Sequence, residues 1–320
     1  MTRGTGRATR GAVSGSPAEG WTLASTRPLK GRVALVAGGT RGAGRAISVS
    51  LALAGAIVYV TGRSSRGHPA TRGRPETIDE TAEMIRGFGG EAYPVRVDHT
   101  QGPEVRRLVD RIRSEQQGRL DVLVNDIWGG EELTEWGKPP WEMSFTKGRA
   151  MLERAVFTHL ITSREAVPLM VARRRGLVVE VTDGDHDLYR GSLYYDLVKT
   201  SVIRLARAYA EEFAEARLKR MSAVAVTPGF LRSEFMLEQF GVREENWRDA
   251  IPKARHFYAS ETPYFLGRAV ASLAADPEVH AKSGKVLGSW TLAKEYGFTD
   301  LDGSRPDWGK VFREQIRSES

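Results

Sequence analysis

From residue 32 onward, short and continuously apolar runs alternate with longer stretches whose apolar residues recur at helical spacing. The runs are residues 33–37, 56–61, 92–98, 120–125, 177–182, 222–227 and 285–288. Between them, residues 47–56 read as an apolar helix and 77–88 as an amphipathic helix stopped by Gly89-Gly90. Residues 103–117 and 195–216 read as two further helices. A strand apolar on both faces needs cover on both faces, and strands that alternate with helices are joined by crossovers. The pattern therefore predicts an α/β fold: one doubly wound parallel sheet of about seven strands, in a single domain over residues 30–300. Residues 301–320 read as a C-terminal tail. Stretches 64–75, 128–147 and 230–260 fit no regular element, and the last two are candidate substrate loops.

Composition narrows the function classes. The 320 residues include no cysteine, which removes disulfides, thiolate metal sites and cysteine nucleophiles. No apolar run is long enough to span a bilayer, so a cytoplasmic protein with no membrane partner is expected. The balance of 47 Lys+Arg against 40 Asp+Glu, a net +7, invites a polyanion reading. That charge is unevenly spread. Arg3, Arg7, Arg10, Arg27 and Lys30 face Glu19 alone in the first thirty residues, a net of +4. This Gly/Ser/Thr-rich segment reads as a disordered basic tail over residues 1–29. It weakly resembles a transit peptide but lacks the apolar core of a secretory signal. The rest is near balance, and no nucleic-acid partner is expected.

The first candidate chemistry is Gly38-Gly39-Thr40-Arg41-Gly42-Ala43-Gly44, set between the first strand and the first helix. Glycines there allow a tight turn and close approach of backbone to a pyrophosphate, which the helix N-terminus favours. The spacing is G-x-x-x-G-x-G. About twenty residues on, where a carboxylate would hold a free ribose 2′-hydroxyl, stand Gly62 and Arg63. Arg63, with Arg41, suits a 2′-phosphate, so NADP(H) is expected in preference to NAD(H). Arg72 and Arg74 are further candidates, against a solvated loop. The second candidate is Tyr195-Asp196-Leu197-Val198-Lys199, whose Y-x-x-x-K spacing puts phenol and ammonium on one helix face. An ammonium near a phenol favours phenolate, which would make Tyr195 a usable acid or base for carbonyl–alcohol chemistry. Tyr194, one residue earlier, is off that face.

With loop and pair on one chain, residues 30–298 resemble the short-chain dehydrogenase/reductase (SDR) superfamily, whose sheet is of the Rossmann type. The C-terminal run Ser283–Leu287 with Leu292–Gly297 looks closest to the subgroup of dehydrogenase/reductase SDR family member 1. The resemblance implies roles for further residues: Asp98 near the adenine amine, Asn125 at the end of an L-D-V-L-V-N strand, Pro228-Gly229 at the nicotinamide, and Ser233 after them. Gly38, Thr40, Arg41, Gly42, Ala43, Gly44, Arg63 and Lys199 complete the expected cofactor set. It also implies a homodimer or homotetramer formed through the 195–216 helix and the one ending near Met170.

Several positions depart from the family. Ala37 replaces the threonine heading the glycine motif, Asp126-Ile127 replaces part of N-N-A-G, and the helix asparagine of the proton relay falls on Ala155. The catalytic serine falls on Thr182 or Asp183, depending on whether one counts back from Tyr195 or forward from Gly176. A threonine hydroxyl can donate to a substrate oxygen; an ionised Asp183 only accepts, and repels developing negative charge. Thr182 is the preferred choice. Asp183, Asp185, His186 and Asp187 read as a solvated acidic loop, and no metal is expected. Trp128, Trp136, Trp141 and Phe230 are candidate pocket walls. The expected function is an NADP(H)-dependent oxidoreductase acting on a small carbonyl or alcohol, with Tyr195, Lys199, Thr182 and Asp183 as catalytic candidates. The alternative is an NADP(H)-binding protein with weak or no turnover, because the serine and asparagine positions are substituted.

Overall fold

The computed structural model describes residues 16–71 and 73–319. Seven strands form one sheet, all pairs parallel, in the order β3-β2-β1-β4-β5-β6-β7. They are β1 (Val33–Ala37), β2 (Ile57–Gly62), β3 (Glu91–Arg96), β4 (Val122–Asn125), β5 (Arg175–Val181), β6 (Arg220–Thr227) and β7 (Val286–Gly288). The sheet thus has the doubly wound Rossmann architecture expected from the apolar runs.

Alternation explains why those runs are continuous. Ala34, Val36, Val58, Val60, Val124 and Val179 face one core. Their neighbours Val33, Leu35, Tyr59, Leu123 and Val178 face the other. The first core is closed by α2 (Gly42–Leu53), α3 (Ile78–Gly87) and α9 (Pro263–Ala275), with α1 (Thr22–Thr26) at its margin. The second is closed by α4 (Gly102–Glu115), α6 (Thr158–Ala172) and α7 (Leu193–Glu215). Helix starts follow local chemistry. Thr77 accepts from Glu80 N while Glu80 reaches back to Thr77 N, a reciprocal cap on α3. Helix α5 (Phe145–Leu152) runs into α6 through a π turn, Glu153–Phe157. The remaining helices are α8 (Glu234–Gln239), α10 (Ser289–Tyr296) and α11 (Trp308–Glu319). Among the described residues, no helix is long and apolar enough to cross a membrane.

Two terminal expectations need correction. Residues 1–15 lie outside the described residues, but 16–29 are docked through a few buried residues. Trp21 is 5% exposed and Leu29 is fully buried. The Arg268 guanidinium lies over the Trp21 ring and donates to the carbonyls of Pro17 and Glu19. Two apolar anchors and one buried donor set suffice to dock the segment, a signal hidden when charge is summed over thirty residues. Likewise the stretch after residue 300 is not a tail. Trp308 packs against Phe230 and His256, and Phe312 stacks on His186.

The tightest helix contact makes a stability prediction. A Cβ at Gly267 on α9 would lie 2.5 Å from Ser50 Oγ and 2.6 Å from the Ala46 carbonyl on α2. Gly267→Val should therefore destabilise by about 1–3 kcal/mol through overpacking. The check is a lower urea midpoint with unchanged slope.

Candidate functional site

The carboxyl ends of the central strands open into one cavity of about 880 Å³. At one end is the glycine loop. Gly38 takes a φ of +100°, and a Cβ on it would sit 2.3 Å from the Asp126 carbonyl, so only glycine lets β1 turn beneath β4. Gly44 packs its face on the Gly38 carbonyl, behind the cavity wall formed by Gly38, Thr40, Arg41, Gly42 and Ala43. The Gly42 N–H, at the start of α2, donates to the Glu234 carboxylate at 2.9 Å. An anion supplied by the chain itself thus rests where a helix N-terminus binds phosphate. Arg41 lies 3.9 Å from Glu131, and Arg63 also lines this end. The positive helix end and two guanidiniums fit a dinucleotide diphosphate, with Glu234 holding the Gly42 N–H in its place. Arg74 is committed to Glu76 and Glu238, and Arg72 lies outside the described residues.

Asp98 lines the same end. Burial pushes its carboxyl up, but the N–H and hydroxyl of Thr100 and the charges of Arg63 and His99 outweigh this and hold it below the usual range. Asn125 does not line the cavity. Its amide is fully buried and donates to Ser163 and Glu180, so its place is under the floor. Pro228, Gly229 and Ser233 form the opposite wall; the Gly229 N–H donates to buried Glu261, and Ser233 caps α8.

The catalytic candidates meet in the middle. The α7 turn carries Tyr195 and Lys199 on one face, as their spacing requires. Strand β5 delivers the third group. Thr182 still bonds its N–H to Val226 of β6, then Gly184 turns the chain at φ +75° with its N–H on the Thr227 hydroxyl. The residue aimed at the tyrosine is Asp183: the Tyr195 hydroxyl donates to Asp183 Oδ2 at 2.6 Å. This corrects the preference for Thr182, whose hydroxyl is spent on the Lys199 carbonyl at 2.8 Å. The one-residue ambiguity resolves this way because Thr182 remains in the sheet ladder and Asp183 has left it. Tyr194 turns away and packs on Gly148 of α5.

Charge is concentrated here. Burial, then the Asp183 charge and hydrogen bond, raise the Tyr195 phenol well above its ordinary value. Burial lowers the Lys199 ammonium, opposed by Asp183, Asp126 and Glu131. Burial pushes the Asp126 carboxyl up to about 7, against the pull of Lys199, His159 and the Gly44 N–H. The expected lowering of the phenol by Lys199 is thus reversed, first by burial and then by the Asp183 carboxylate.

Trp128 meets Tyr195 edge-on at 5.5 Å, and Trp136 approaches it at 5.1 Å. Lys199 Nζ lies over the Trp128 ring at 4.4 Å. Phe230 is a wall residue as expected. Trp141 is not: it is 83% exposed and away from the cavity. Residues that sequence reasoning missed include Glu131, Glu234 and Trp308, all lining the cavity. Glu131 and Glu234 lie in segments without helical periodicity and had no signal. Trp308 does begin an amphipathic pattern with Val311 and Phe312.

The comparisons agree with this geometry. The family description short chain dehydrogenase matches residues 32–241. The chain belongs to the short-chain dehydrogenase/reductase family. It is 34% identical over 280 residues to dehydrogenase/reductase SDR family member 1 of Mus musculus, covering 86% of this chain and 85% of that protein. It is 24% identical to a 3-oxoacyl-acyl-carrier-protein reductase of Aquifex aeolicus, covering 80% and 98%. An actinorhodin polyketide ketoreductase solved with NADPH shares the fold, with a TM-score of 0.65 at 22% identity over 80% and 95% of the two chains. Members of this SDR family bind a nicotinamide cofactor and are oxidoreductases of CH–OH and C=O groups.

Glu234 occupies the place of an anion at the α2 N-terminus. Its carboxylate competes with a phosphate for the Gly42 N–H. Glu234→Gln should tighten NADPH binding by about three- to tenfold, read by titrating the cofactor's fluorescence.

Proposed function

We propose that the protein is an NADP(H)-dependent SDR oxidoreductase that moves hydride between nicotinamide and a carbonyl or alcohol carbon. The observation that carries this reading is that one cavity joins the α2 N-terminus to the Tyr195–Lys199 face of α7. Gly42, Arg41 and Arg63 would hold the phosphates, Asp98 the adenosine end, and Pro228, Gly229 and Ser233 the nicotinamide end. Bound there, the nicotinamide would supply or accept the hydride. Lys199 would hold the ribose beside it. Tyr195 would give a proton to the substrate oxygen or take one from it. Trp128, Trp136 and Phe230 would exclude water from the reacting carbon. Exposed Leu160 on α6 and Leu197 on α7 support a homodimer or homotetramer through those helices.

Asp183 sets a condition on this chemistry. An ionised carboxylate about 4 Å from an alkoxide costs about 4 kcal/mol at an effective dielectric of about 20. That is roughly a thousandfold in rate. A carbonyl substrate whose oxygen meets the Asp183 carboxylate therefore meets this repulsion. The same contact favours a second reading, a cofactor-binding protein with little turnover: Tyr195 is engaged by Asp183, and Ala155, packed among Met151 and Val198, has no side-chain polar atom of its own to relay protons.

NADPH oxidation over a panel of ketones and aldehydes separates the two. Under the first reading, Tyr195→Phe should cost about 10²–10⁴ in kcat with NADPH binding kept. Binding without any oxidation supports the second. In either case Arg63→Ala should weaken NADPH about tenfold more than NADH, measured by titration.

A further inference from the structure

The carboxylate beside Tyr195 is mismatched to an oxygen that gains negative charge, and matched to a group that carries positive charge. Asp183 Oδ2 is met by the Tyr195 hydroxyl, not by a cation. The nearby Arg190 guanidinium spends its Nε on the Asp183 main-chain carbonyl and pairs its Nη1 with Asp196 at 2.8 Å. Lys199 leans over the Trp128 ring. The field of Asp183, Asp126 and Glu131 falls on that single ammonium. Two indole rings, Trp128 and Trp136, flank the tyrosine, and aromatic faces attract cations. The same wall includes the aromatic rings of Phe230 and Trp308, 6.1 Å apart.

We infer that the reacting carbon of the preferred substrate is bonded to nitrogen: a protonated amine, or the iminium it forms, on a bulky ring-containing apolar body. The assignment rests on the hydride-transfer reading above and names its substrate class. Its balance is simple. Adding hydride to an iminium carbon forms a C–H bond, breaks the C=N π bond and leaves that electron pair on nitrogen. The product is the neutral amine, the nicotinamide of the family's cofactor is the species oxidised, and no proton is asked of Tyr195. In the reverse direction the protonated amine first releases its N–H proton to solvent, and the neutral amine then loses hydride from carbon and becomes the iminium. Throughout, Asp183 faces an N–H or a positive carbon–nitrogen unit, and never an alkoxide.

Calorimetry on the full chain, with and without NADP⁺, tests the charge preference apart from turnover. The probes are tetrahydroisoquinoline and its carbocyclic alcohol counterpart, tetralol. Tetrahydroisoquinoline should bind about tenfold or more tightly, the worth of a hydrogen bond to a charged group. Asp183→Asn keeps the size and removes the charge, and should abolish that preference. Asp183→Ser should invert it toward tetralol. With NADPH, dihydroisoquinoline should be reduced faster than tetralone. Equal binding of the two probes, or a preference that survives Asp183→Asn, overturns the inference. If tetralone is reduced while the amine has no advantage in binding, the inference fails and the hydride-transfer reading stands. If the amine binds through Asp183 but neither substrate oxidises NADPH, the nitrogen preference holds and hydride transfer fails.

Discussion

Cover on both faces of the sheet is the constraint from which the rest follows. Each central strand gives alternate side chains to two separate cores, so almost no position within a strand can carry an unpaired polar group. Chemistry is thereby forced to the strand ends. In a doubly wound parallel sheet the carboxyl ends of β1, β4, β5 and β6 fall together, at the crevice where the strand order reverses. The glycine loop, Asp126, Asp183 and Pro228 each come within a few residues of such an end. Residues separated by nearly two hundred positions become neighbours: Gly42 touches Glu234 because β1 and β6 both stop there.

Electrostatics within the crevice is uneven in a useful way. Arg41 and Arg63 lie at the glycine-loop end, where a diphosphate dinucleotide fits. Around Tyr195 the acids dominate, and Lys199 is shared among three of them. Anionic and cationic preferences are therefore separated along one cavity. A serine in place of Asp183 would leave the tyrosine near a neutral donor. The aspartate instead ties the phenol proton to a carboxylate and adds to the rise that burial already imposes on the phenol. The same spacing of Tyr195 and Lys199 thus sits in a different field from the one their sequence pattern alone suggests.

The sheet was legible because its signal is a period: seven apolar runs gave seven strands, shifted by a residue or two at their ends. The glycine loop and the Tyr195–Lys199 pair were legible because their spacings are set by a turn and by helix geometry. Asp183 against Thr182 was not, since it turns on where β5 releases its last hydrogen bond, and no local pattern encodes that. Nor could Trp141 be told from Trp128 and Trp136. All three are aromatic in an irregular stretch, and only the path of that stretch decides which face the cavity. The docking of Trp21 was missed because averaged composition conceals a single well-placed anchor.

A buried carboxylate sits inside the sheet, and it links the core to the site. Glu180, fully buried on β5, accepts from the Asn125 amide with one oxygen and meets His159 Nδ1 with the other at 2.6 Å. The second ring nitrogen of His159 faces the Ile127 carbonyl at 3.1 Å. A carbonyl only accepts, so Nε2 is the donor there while Nδ1 meets Glu180. His159 lies four residues, one turn, beyond Ala155 on the continuous helical stretch that forms this wall. The helix has thus given up a polar group at Ala155 and gained a buried one below it. What His159 holds is the main chain between Asp126, whose carboxyl acts on Lys199, and Trp128, whose ring lies under that same ammonium. The buried Glu180–His159 pair therefore fixes the loop that places both neighbours of Lys199. That accounts for a glutamate persisting in a strand otherwise reserved for valine.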